Sequence, residues 1–193
     1  MSVRGTLWLP GIARRPSPNA DERPPGCEID LLVIHNISLP PGEFGGDHIS
    51  ELFLNRLDPD AHPYFAAIAD LRVSAHLLIQ RDGTAMQFVP LDRRAWHAGQ
   101  SRYCGRERCN DFSIGIELEG TDDTEFTTYQ YRTLTELTAR IQRLFPAITP
   151  QRIVGHSEIA PGRKTDPGPC FDWAGYRTRL AALHERDRHG DHA

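Results

Sequence analysis

Three side chains able to do chemistry, His156, Lys164 and Asp166, fall inside one stretch, Gly155-His156-Ser157-Glu158-Ile159-Ala160-Pro161-Gly162-Arg163-Lys164-Thr165-Asp166-Pro167-Gly168-Pro169. His156 follows the short apolar run Ile153-Val154, which reads as a strand end, and Lys164 and Asp166 sit two apart on a loop stiffened by prolines and glycines. In extended backbone, residues two apart point the same way, so both can face one cavity. His35 ends a second apolar run, Leu31-Leu32-Val33-Ile34. Two imidazoles and one carboxylate are a donor set for zinc that leaves a fourth position open, as catalytic sites do. Such an ion acidifies water and polarises a carbonyl. His…His-x9-Asp is a loose spacing, however. The same residues also read as two strand-end histidines bonded to backbone carbonyls and a turn aspartate before Pro167.

Other groups have two readings as well. Glu117, on the polar phase of a strand beside Gly115, reads as a general base for water or as a surface glutamate. Lys164 reads as a stabiliser of a tetrahedral oxyanion or as a solvated loop lysine. Trp96-His97-Ala98-Gly99 sets an indole and an imidazole beside small residues, as a sugar-stacking surface requires, or else Trp96 is core and His97 its neighbour. His76 precedes Leu77-Leu78-Ile79 and competes with His35 as a ligand, whereas His48 and His62 read as loop residues.

The elements that must position these groups follow from periodicity. Residues 29–36 form a continuous apolar run, the pattern of a central strand buried on both faces. Ile49, Leu52, Phe53 and Leu57 make a helical stripe over 48–57. Ser74–Gln80 and Ala85–Val89 flank Asp82-Gly83, a hairpin signal, and 112–119 alternates as a strand. A helix is predicted over Thr128–Phe145, capped by Thr127 or Thr128 and stopped by Pro146. A strand over 152–155 and a last helix from Asp172 through Trp173, Tyr176, Leu180 and Leu183 complete the set, with the charged tail His184–Ala193 expected to fray.

At 193 residues, 39% apolar and 25% charged, the chain suits one domain with a genuine core. A net charge of −4 offers nucleic acid no basic face. No apolar run approaches the roughly 18–20 residues of a membrane span. Met1–Gly26 lacks the apolar centre of a secretory signal, so a cytoplasmic address is expected. Cys27, Cys104, Cys109 and Cys170 form no C-x-x-C pair and are expected as free thiols in that compartment.

Longer motifs carry a resemblance. Ile34-His35-Asn36-Ile37-Ser38-Leu39-Pro40-Pro41-Gly42-Glu43-Phe44-Gly45-Gly46, Arg72-Val73-Ser74-Ala75-His76, Arg94-Ala95-Trp96-His97-Ala98-Gly99, the run Gly105–Asp122 and the Gly155–Pro169 loop closely resemble the AmpD family of cytosolic 1,6-anhydro-N-acetylmuramoyl-L-alanine amidases, over about residues 7–183. That family is grouped with phage-lysozyme-type amidases and peptidoglycan recognition proteins. The resemblance implies a single amidase domain of mixed α/β (α+β) class, a central mixed sheet flanked by helices. It implies one Zn2+ per chain, held by His35, His156 and Asp166, with Glu117 as general base and Lys164 stabilising the oxyanion. It places Asn36, Trp96, Arg72 and Arg108 at the substrate: Trp96 at the sugar, and the two arginines at carboxylates of the stem peptide, which suits arginine's bidentate fork. His76 then becomes structural. Asp166 and Ala75 stand where phage relatives carry Cys and Tyr. The implied reaction is hydrolysis of the amide between anhydro-muramic acid and L-alanine in recycled cell-wall muropeptides, by a monomer with neither membrane nor nucleic-acid partner. Rival readings are an exported amidase of intact wall, and a muropeptide-binding module without catalysis.

Overall fold

The structure, a computed structural model, describes residues 7–190. In chain order its elements are β1 (Ala13–Arg14), β2 (Ala20–Asp21), β3 (Leu31–Ile37), α1 (His48–Phe53), α2 (Pro63–Ala66), β4 (Leu77–Ile79), β5 (Ala85–Gln87), β6 (Arg94–Ala95), β7 (Arg102–Tyr103), β8 (Arg106–Glu107), β9 (Ser113–Glu119), α3 (Thr128–Leu144), β10 (Ile153–Gly155), α4 (His156–Ile159) and α5 (Trp173–Gly190). The main sheet runs β1-β5-β4-β9-β3-β10. Its pairings are parallel except β4–β5, whose antiparallel register is closed by the Asp82-Gly83 turn that the sequence predicts. The fold is therefore mixed α+β, a central mixed sheet flanked by helices.

Alternation along the inner strands divides the two faces. Leu32, Ile34, Leu77, Ile79, Ile114, Ile116 and Leu118 pack on Leu134, Leu137 and Ile141 of α3 and Tyr176 and Leu180 of α5. The opposite face buries Leu31 and Val33 against Ala98, Cys109, Phe112, Val154 and Ile159. On that side Leu78 also meets Phe53, Phe65, Phe88 and Val89. Burial on both faces is what makes β3 read as an apolar run. Between the two clusters of the second face, at the carboxyl ends of β3, β9 and β10, lies the place where open α/β sheets bind ligands.

Helix ends are set by side chains. Thr127 Oγ1 accepts from Gln130 N at 3.1 Å while Gln130 Oε1 accepts from Thr127 N at 3.1 Å, a reciprocal capping box. Asp172 Oδ1 accepts from Gly175 N at 2.8 Å, the capping role expected of it.

Two expectations are corrected. The helix predicted over 48–57 ends at Phe53, because Asn55 takes a left-handed conformation (φ 57°) that closes the turn. The tail predicted to fray from His184 remains helical to Gly190. Its polar groups are engaged: His184 Nε2 lies 2.7 Å from Gln142 Oε1, and Arg143 pairs with Asp187 at 2.7 Å. Residues 191–193 of that expectation lie outside the described residues. Among the described residues no helix is long and apolar enough to cross a membrane. Cys27, Cys104, Cys109 and Cys170 are unbridged.

Candidate active site and metal centre

Strand register assembles the site. In the parallel β3–β9 ladder His35 is opposite Glu117, and in the β3–β10 ladder Ile34 is opposite Gly155. His156, the next residue, therefore emerges beside His35. Gly155 has no side chain because a Cβ there would sit 2.7 Å from Pro167 Cδ. That close approach lets the proline loop fold back over β10, and Ser157 N donates to Asp166 O at 3.0 Å to hold it.

The result is a compact triangle of donor atoms. His35 Nδ1 lies 3.0 Å from His156 Nδ1 and 3.1 Å from Asp166 Oδ2, and His156 Nδ1 lies 3.0 Å from the same oxygen. These residues form a group that could hold a metal ion. Tetrahedral bonds of roughly 2.0–2.2 Å set donors about 3.3–3.6 Å apart, and the sides of this triangle lie within a few tenths of an ångström of the lower end. His156 Nε2 lies 3.1 Å from the carbonyl of Ala98 and 3.4 Å from Arg163 Nη2; donation to the nearer carbonyl, in a neutral ring, leaves the Nδ1 lone pair facing inward.

The electrostatics are those of a dry site. Burial pushes the His35 imidazole down to about 4, more than its hydrogen bond with Asp166 raises it. Burial would raise the Asp166 carboxyl, but hydrogen bonds to His156 and His35 hold it well below the usual carboxylate range. Glu117 moves the other way. Burial, and then the nearby Asp166 charge, push it well above the ordinary glutamate value, with Lys164 opposing. Its Oε2 is buried and has no hydrogen-bond partner.

Glu117, Lys164, Asp166, His156, Asn36 and Trp96 all line one cavity of about 390 Å3. Ile37, Leu39, Tyr64, Ile68, Leu71 and Val73 form its apolar wall. The exposed Lys164 and the buried Asp166 face the same space, as their spacing on the loop predicts. Asn36 Nδ2 donates to Asp122 Oδ1 at 2.8 Å. Trp96 Nε1 donates to Asp21 at 3.2 Å, and Asp21 is itself gripped by Arg94.

Neither Arg72 nor Arg108 lines this cavity. Arg72 is exposed and turns toward the Ala69 and Leu71 carbonyls; Arg108 is exposed, in a left-handed conformation, and pairs with Asp111 at 3.3 Å. His76 is not a rival ligand. Its Nδ1 accepts from Gly115 N at 3.0 Å and its Nε2 faces Arg93 O at 3.0 Å, so both nitrogens are spent inside the protein.

Sequence reasoning named His97 only as a neighbour of Trp96 or part of a sugar-stacking surface, and missed its contact with His35 and three further contributors. His35 Nε2 lies 2.9 Å from His97 Nδ1. Asn110 Oδ1 accepts from the backbone N–H groups of His97 and Ala98. Arg163 Nη2 donates to the Ala98 and Gln100 carbonyls at 2.6 and 2.7 Å. The apolar wall comes from residues scattered between 37 and 73. Gly115 was the available signal for His97: a Cβ there would stand 2.5 Å from the His97 ring.

Comparison with known proteins places the chain among amidases. The family model for N-acetylmuramoyl-L-alanine amidase matches residues 25–169. The chain is 60% identical over 174 residues to the 1,6-anhydro-N-acetylmuramyl-L-alanine amidase AmpD of Escherichia coli (strain K12), covering 90% of this chain and 94% of that protein. It is 56% identical over 160 residues to the Haemophilus influenzae enzyme of that name, covering 83% and 87%. A crystal structure of a selenomethionine AmpD derivative superposes with a TM-score of 0.85 at 59% identity, covering 91% of this chain and 96% of that one. The E. coli amidase AmiD, solved with anhydro-N-acetylmuramic acid-L-Ala-D-gamma-Glu-L-Lys, gives a TM-score of 0.60 at 31% identity over 82% of this chain and 60% of its own. With its sheet-edge triad, its carboxylate-lined cavity and these relatives, the chain belongs to the N-acetylmuramoyl-L-alanine amidase family.

Proposed function

We propose that this protein is a zinc-dependent 1,6-anhydro-N-acetylmuramoyl-L-alanine amidase acting on recycled muropeptides in the cytoplasm as a monomer. The observation that carries the reading is the convergence of His35, His156 and Asp166 on one point beside Glu117. The names of the most similar relatives support the substrate. A zinc ion held by His35 Nδ1, His156 Nδ1 and Asp166 Oδ2 would acidify water and polarise the scissile carbonyl.

The chain's own residues supply the rest. Glu117 Oε2 takes the proton from the water oxygen as that oxygen adds to the lactyl carbonyl carbon. Its raised affinity for a proton suits it to hold that proton and return it to the alanine nitrogen as the C–N bond breaks. Lys164 brings its ammonium to the carbonyl oxygen where negative charge develops, a contact stronger in the transition state than in the ground state. Trp96, its indole N–H tied to Asp21, offers its ring to the bridged sugar, and Asn36 a polar contact at the cavity mouth. The exposed guanidinium groups of Arg72 and Arg108 are assigned to carboxylates of the stem peptide.

The anhydro ring has no free reducing end, so ordinary muramic acid would bring extra hydroxyls to an apolar wall at a cost of roughly 1–3 kcal/mol for each one left unsatisfied. The test is kcat/KM for matched anhydro and reducing-end substrates with one stem peptide. A clear preference for the anhydro form is expected; equal values overturn the substrate assignment while leaving the amidase chemistry standing.

A further inference from the structure

His97 lines the cavity wall, but both its ring nitrogens are engaged within the protein, in a chain of four groups. The chain begins at a backbone carbonyl. Ser113 Oγ lies 2.6 Å from Cys109 O, and a carbonyl can only accept, so the single hydroxyl proton of Ser113 is spent there. Toward its other neighbour, His97 Nε2 at 3.1 Å, Ser113 Oγ can then only accept, and His97 Nε2 must carry a proton. A neutral imidazole carries a single proton, and Nε2 holds it. Its Nδ1 is therefore a lone pair, and His35 Nε2, 2.9 Å away, must donate to it.

The geometry points to His97 as a positioning residue for the metal site: through Ser113 and Cys109 it fixes His35 in the tautomer whose Nδ1 lone pair faces His156 and Asp166. Metal-binding imidazoles characteristically donate their remote N–H to an acceptor, which orients the ring and raises its basicity. Here the acceptor is a second imidazole whose own tautomer is dictated by a serine on β9. With His156 locked by the Ala98 carbonyl, both inward nitrogens present lone pairs 3.0 Å apart beside a carboxylate, a repulsive arrangement that a cation relieves. The relay depends on close packing. The His97 ring lies where a side chain of residue 115 would be, and Gly115 N is in turn occupied by His76 Nδ1.

This inference rests on the proposed zinc site, and its test separates the two. Zn2+ affinity of the full chain is measured by competition with a chromophoric chelator for the wild type, His97→Phe and His97→Asn. Phenylalanine keeps the shape and loses the acceptor; asparagine can place Oδ1 where Nδ1 stood. A loss of about 10–100-fold is expected for His97→Phe, with His97→Asn within a few-fold of wild type. Equal losses in both variants, or wild-type affinity in His97→Phe, overturn the relay. Nitrogen-15 correlation spectra of the metal-free wild type test the relay without relying on the variants: His97 is expected as the Nε2–H tautomer, and an Nδ1–H tautomer overturns the inference. Failure of the wild type itself to bind Zn2+ would instead remove the metal reading, with the His97 tautomer still deciding the relay.

Discussion

Glu117 stands directly opposite His35 in the parallel β3–β9 ladder, so one strand pairing sets the distance between the candidate base and the candidate metal. Two residues in register on adjacent parallel strands project to the same face. That face here has an apolar cluster on either side, with the gap at the strand ends left for chemistry. Geometry of this kind is held by the core rather than by a loop, which separates the roles of the residues in mutational tests.

Replacing Glu117 by Ala or Gln should leave metal content and fold intact while lowering turnover by about 10²–10⁴-fold. Metal analysis and steady-state kinetics on the same preparation check this. Near-normal activity would reduce Glu117 to a structural carboxyl.

His35→Ala should remove the metal and the activity together, because the triangle loses one of its three donors. Zinc content of the purified variant is the measurement. Full occupancy would reassign the ligand, and not to His76, whose nitrogens are both engaged.

Lys164→Ala should reduce kcat more than it raises KM, as expected for a contact made mainly in the transition state. A change confined to KM would mark Lys164 as a ground-state contact.

The sequence showed the strands more plainly than the site. Leu31–Ile34 read correctly because burial on both faces leaves a continuous apolar signature, Ile114–Leu118 because its apolar residues alternate, and the hairpin at Asp82-Gly83 is local chemistry. Which histidines converge is not local: His35 and His76 both border apolar runs, and only the register of β3 with β10 brings His156 to the first. Family resemblance supplied that pairing where spacing left it open. The role of His97 stayed hidden for a different reason. Its ring packs over Gly115 and its nitrogens meet Ser113 and His35, contacts formed only once β9 and β3 are paired beneath it. The length of the last helix was also beyond a sequence reading, because contacts from α3 hold residues that look like a solvated tail.

Acid should expose the buried histidines. His76 is buried, and desolvation lowers it from 6.5 to about 3. The unfolded chain therefore takes up a proton at higher pH than the folded one. The stability this group contributes is present above pH about 6.5 and declines as pH falls toward 3, by up to about 1.4 kcal/mol per pH unit. Denaturant unfolding of wild type and His76→Gln across that range should show a shallower slope in the variant. Parallel slopes would contradict a neutral, buried His76.

Gly115→Ala should weaken the fold by about 1–3 kcal/mol, since its Cβ would meet the His97 ring at 2.5 Å. Thermal unfolding of the variant measures the cost, and an unchanged midpoint would show that the ring moves aside freely.

The central claim is that a metal held by His35, His156 and Asp166 drives cleavage of the muramoyl-alanine amide. The most direct measurement is release of the L-alanine-terminated peptide from an anhydro-muropeptide by purified protein, before chelation, after chelation, and after Zn2+ is restored. The account predicts release, its loss, and its recovery in that order, with no recovery in Asp166→Ala. Peptide release that survives complete removal of the metal would contradict it.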